Sequence, residues 1–123
     1  MIEKNIIGFS VSNKEDSYTQ GYNPKTGKPI TGNFSNANYE EINLAVEKAT
    51  EAFEEYRNIS GKKKALFLNA IADEIENLGE ILIERCCKES GLPNARIIGE
   101  RGRTLGQLRM FANLVLEGSW LEA

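Results

Sequence analysis

The chain contains no histidine. Ser-His-Asp and Cys-His nucleophilic catalysis, and most zinc hydrolase chemistry, are excluded with it. Cysteine is scarce as well: Cys86 and Cys87 are the only two, side by side in a stretch with helical character. Neighbours on a helix point about 100° apart, so a bond between them would need distorted geometry. No further cysteine stands near them to complete a zinc set, and no metal site is expected. The pair reads as two small residues in or beside a core. Long apolar runs are also missing; none approaches the roughly 18 residues that span a bilayer. The opening MIEKNIIGFSVS has too short an apolar stretch for a signal peptide and soon turns polar. A cytoplasmic compartment and no membrane partner are therefore expected. Excess charge of one sign is absent too. A net charge of −3 and a pI near 5.1 give no pull toward nucleic acid.

What the chain has is enough for one modest core. Its 123 residues are 41% hydrophobic and 27% charged, the balance of a folded protein. The fold class expected is α+β, a short N-terminal β-meander over residues 1–35 followed by three to four helices over 36–123. Asn5 to Ser12 places Ile7, Phe9 and Val11 in alternation and predicts one short strand. The polar cluster Asn13–Ser17 predicts a turn or loop. Tyr18–Tyr22 predicts a second strand with Gly21 as a bulge. In Asn23-Pro24-Lys25-Thr26-Gly27, Pro24 presets φ and Gly27 supplies a left-handed residue, so a turn is predicted. Lys28–Phe34 is the returning strand, weakened by Pro29 and Gly32. Such a hairpin is not a sheet able to stand alone.

The period changes near Asn36. Asn38 followed three residues later by Glu41 predicts a capping box. Ile42, Val46, Ala49, Phe53 and Tyr56 then repeat at helical spacing, one apolar face of a helix reaching about Arg57. Ser60 caps the next helix, whose first turn holds Lys62, Lys63 and Lys64. Three cations there oppose the helix dipole; they form a solvated basic patch or an anion site, and three lysines without a glycine nest argue weakly for the second. Leu68, Ala72 and Ile75 form the buried stripe, flanked by Ala65 and Ile71. Asn77-Leu78-Gly79 breaks the helix, and Ile81–Lys88 continues it. Gly91 stands where a helix-ending glycine belongs, with Pro93 barring resumption.

The last helix has two stripes. Leu105, Leu108, Ala112 and Val115 form one; Ala95, Gly99, Gly102 and Gly106 form the other. Three helical glycines cost about 1 kcal/mol each against alanine. Close approach of another backbone or a ligand would repay that cost, and sequence drift is the alternative. Of four arginines, Arg101 falls in the leucine stripe and calls for an internal partner, Glu100 or Glu89. Arg103 flanks the glycine stripe, with Arg96 and Arg109 toward its other margins. Gly99-Glu100-Arg101-Gly102 lacks the spacing and preceding strand of a dinucleotide fingerprint.

Several motifs in order carry a resemblance. Asn23-Pro24-Lys25-Thr26-Gly27-Lys28-Pro29-Ile30 resembles the NPxTGxxI turn of aldehyde dehydrogenases. Ala45, Ala49 and Ala52-Phe53 are similar to a helical pattern of that family, and Glu89-Ser90-Gly91-Leu92-Pro93 to its ETGKP or ETGLP motif. Glu100-Arg101-Gly102-Arg103-Thr104 and Gln107-Leu108-Arg109-Met110-Phe111-Ala112 look most like the NADP-preferring branch that includes 2-oxoglutarate-semialdehyde dehydrogenases. The resemblance runs from about Gly8 to Trp120 and is to the N-terminal portion of such an enzyme. It implies the N-terminal part of a coenzyme domain in a larger α/β fold. It also implies that the family's catalytic cysteine, glutamate base, oxyanion-hole asparagine and cofactor-binding turn lie downstream. Cys86, Cys87 and Glu89 do not match those motifs. No catalytic or cofactor-binding residue is expected here, and the chain alone is expected to be inactive.

The whole protein so implied oxidises an aldehyde through a thiohemiacetal, with hydride passing to NADP or NAD and a thioester hydrolysed to the acid. Its implied partners are the remainder of the polypeptide and a small aldehyde, with a homo-oligomer for the full-length protein. Where the substrate is a semialdehyde bearing a carboxylate, an arginine on the last helix can bind that carboxylate. Arg103 matches best by position and Arg109 second; the competing role for each is an ordinary ion pair. A different class, an autonomous helical interaction module docking a partner through the glycine face, accounts equally for the missing chemistry.

Overall fold

The computed structural model describes residues 4–12 and 17–120. They form an α+β arrangement of short antiparallel strands followed by four helices, as expected. Two compact units are present, divided after Asn58. The change from strand to helix falls earlier, so the first helix belongs with the strands.

In the first unit, the single strand expected over Asn5–Ser12 is instead a tight hairpin. Strands β1 (Ile6–Ile7) and β2 (Ser10–Val11) pair antiparallel with Ile6 opposite Val11 and Ile7 opposite Ser10. Gly8 takes φ +61° at the first of the two turn positions. A two-residue turn of that hand matches the twist of paired strands, and the alternating pattern conceals it. The reversal separates the three apolar residues: Ile7 is buried, while Phe9 and Val11 are exposed.

Strands β3 (Tyr18–Tyr22) and β4 (Pro29–Ser35) form the second hairpin. Its register shifts between Gln20 and Tyr22, where Gly21 predicts a bulge. The surplus residues lie on β4, which reaches Pro29 opposite Tyr22 and carries Gly32 at φ +111°. Pro29 opens β4, the strand position that least needs an N–H. In the connecting turn the Asn23 side-chain Oδ1 accepts from the Lys25 amide at 2.9 Å, and its carbonyl accepts from Gly27 at 2.8 Å. The loop expected at Asn13–Ser17 lies, except for Ser17, outside the described residues.

Helix α1 (Tyr39–Tyr56) starts at the predicted capping box. The Asn38 carboxamide accepts from the Glu41 amide, and the Glu41 carboxylate accepts from the Asn38 amide, both at 3.0 Å. That service places Glu41 at 4% exposure. The apolar face of α1 is the surprise: Ile42, Val46 and Phe53 are 50%, 62% and 55% exposed. The amphipathic period is real, yet nothing described in this unit covers the face.

The second unit comprises α2 (Gly61–Asn77), α3 (Gly79–Ser90) and α4 (Asn94–Glu117). Ser60 caps α2 by accepting from the Lys63 amide. Gly91 ends α3 at φ +71°, and Pro93 stands immediately before α4. The core is Ala65 and Ala72 of α2, Ile83 of α3, and Ile97, Leu105 and Ala112 of α4. Leu68, Ile71 and Ile75 are only half-buried. The centre of the α2–α4 contact is thus made of small side chains, which let the two antiparallel backbones come close.

Candidate functional site

Helix α4 carries the candidate residues, and its local chemistry separates the four arginines. Arg96 pairs along the helix with Glu100 at 2.6 Å, an i,i+4 bridge between exposed groups. Arg101 is half-buried, and its Nη1 donates to the Gly79 carbonyl oxygen at 3.2 Å. The partner expected for it, Glu100 or Glu89, is corrected by this contact. Gly79 begins α3 immediately after the break between α2 and α3. Glu89 is engaged with Arg85, and Glu100 with Arg96.

Arg109, the second substrate candidate, reaches across to α2. Its Nη2 lies 2.7 Å from Glu76 Oε2 and 3.1 Å from Asp73 Oδ1. Hydrogen bonding to Glu76, then to Asp73, holds its pKa above the ordinary arginine value. This guanidinium is occupied in fastening α4 to α2.

Arg103 has a different setting. It is exposed and lines a recess of about 350 Å³ with Leu68 of α2 and Glu100, Thr104, Gln107, Leu108 and Phe111 of α4. Among the described residues no carboxylate pairs with it. The recess therefore joins apolar side chains to an exposed cation. A planar guanidinium so placed can grip a carboxylate through two parallel hydrogen bonds.

The glycine stripe is open. A Cβ at Gly99, Gly102 or Gly106 would meet nothing within 4 Å. Close approach by a backbone occurs at Gly61 instead, where a Cβ would collide with the Val115 carbonyl oxygen. Sequence spacing missed it because Gly61 also reads as an ordinary first residue after a serine cap. Gln107, which the sequence pattern does not single out, also lines the recess with Arg103. Cys86 and Cys87 are half-buried free thiols, and Cys86 borders a small cavity with Leu82, Ile83 and Ile97. No group of three metal-ligating side chains occurs among the described residues, and no described helix is long and apolar enough to cross a membrane.

Comparison with known proteins supplies what the geometry leaves open. The model of the aldehyde dehydrogenase family matches residues 11–120. An alpha-ketoglutaric semialdehyde dehydrogenase 2 of Azospirillum brasilense is 48% identical over 119 residues, covering 96% of this chain and 23% of the relative. An alpha-ketoglutaric semialdehyde dehydrogenase of Acinetobacter baylyi is 43% identical over 73% of this chain and 17% of the relative. A 2-aminomuconic semialdehyde dehydrogenase of mouse is 37% identical over 62% of this chain and 15% of the relative. The chain thus spans less than a quarter of the length of these relatives. The match runs through both units, from the first hairpin to the end of α4, and this chain belongs to the aldehyde dehydrogenase family.

Proposed function

We propose that this chain is the N-terminal segment of an NAD(P)-dependent aldehyde dehydrogenase, and that the complete enzyme oxidises a carboxylate-bearing semialdehyde to the corresponding acid. The observation that carries the substrate class is Arg103: an unpaired guanidinium beside the apolar floor of Leu68, Leu108 and Phe111. An aldehyde with an aliphatic body and a carboxylate at its far end matches both parts. The relatives' names point the same way, each being a semialdehyde dehydrogenase.

In this reading Arg103 binds and orients the substrate carboxylate, leaving the aldehyde end to residues downstream of the segment. Arg109 is the second candidate; to serve, it would have to release Glu76 and Asp73. The cysteine nucleophile, the general base and the NADP or NAD site belong to the remainder of the polypeptide, so the segment alone is inactive. That remainder also covers the exposed face of α1. The complete enzyme is a cytoplasmic homo-oligomer.

The test is kinetic. In the full-length enzyme, Arg103→Ala should lower kcat/KM for a semialdehyde acid by one to two orders of magnitude, about what loss of a charged hydrogen-bonding partner costs. A neutral aldehyde of equal length should be little affected. Unchanged discrimination between the two would refute the assignment of Arg103.

A further inference from the structure

We draw no further inference here: the strongest candidate, the exposed apolar face of α1 carrying Ile42, Val46 and Phe53, is the surface already assigned to the remainder of the polypeptide, and nothing in the structure shows another partner that covers it.

Discussion

The carbonyl oxygen of Val115 occupies the space in which a side chain at position 61 would begin. This is where the start of α2 meets the end of α4. Gly61→Ala should therefore destabilise the second unit by about 1–3 kcal/mol, the usual cost of overpacking. Gly102→Ala, also within a helix but facing open space, should stabilise by roughly 0.5–1 kcal/mol in the same host. Urea denaturation of the two variants checks the contrast. Equal shifts would mean that the approach of α2 to α4 is not tight.

Arg109 fastens the same two helices through charge. Its pKa is raised in the folded chain, so its contribution is fully present below the ordinary arginine range. It is lost only as pH rises through the raised value. Between pH 7 and pH 10, the stability difference between wild type and Arg109→Met should accordingly stay constant as far as the guanidinium is concerned. The pair is exposed, so the difference should be small and should shrink as salt increases toward about 1 M. Thermal melts at two salt concentrations measure it. A difference that grows with salt would show that Arg109 acts through packing of its stem.

These two contacts mark what the residues reveal unaided. Features closed within about four residues were legible: the Asn38–Glu41 box, the Ser60 cap, the Asn23–Gly27 turn and the Gly91–Pro93 stop. Each is a hydrogen-bonding problem solved by near neighbours. The stripe of Leu105, Leu108, Ala112 and Val115 was legible too, because helical period depends on spacing alone. The partner of Arg109 is 33 to 36 residues away and that of Arg101 is 22 away, and no local rule selects them. The Gly8 hairpin failed for another reason. Alternation of Ile7, Phe9 and Val11 is equally compatible with one strand or with two very short ones around a turn. The recess was half legible: Arg103 stood out by its place beside the glycines, whereas Leu68 of α2 enters the lining only through the packing of α2 on α4.

The capping box offers a local test of the first unit. Asn38→Ala removes the acceptor for the Glu41 amide and should cost about 1 kcal/mol. Asn38→Ser, which keeps a side-chain oxygen there, should recover most of it. Far-ultraviolet circular dichroism during urea titration reports the helix. Identical behaviour of the two variants would mean that the box does not stabilise α1.

The exposed face of α1 separates the two functional readings. Ile42, Val46, Ala49, Phe53 and Tyr56 make one continuous stripe, and large apolar faces of this kind associate unless covered. If the rest of a dehydrogenase covers it, the isolated chain should self-associate and bind a hydrophobic dye. Val46→Glu with Phe53→Ser should then reduce both effects in the isolated chain. In the full-length enzyme the same pair should lower stability, because charge and lost volume would enter a packed interface at a cost of several kcal/mol. An autonomous interaction module would behave otherwise, with an isolated chain that is monodisperse and unfolds cooperatively. Sedimentation velocity on the wild-type and doubly substituted chains decides between them, because only a face awaiting its own polypeptide improves in isolation and fails in the whole.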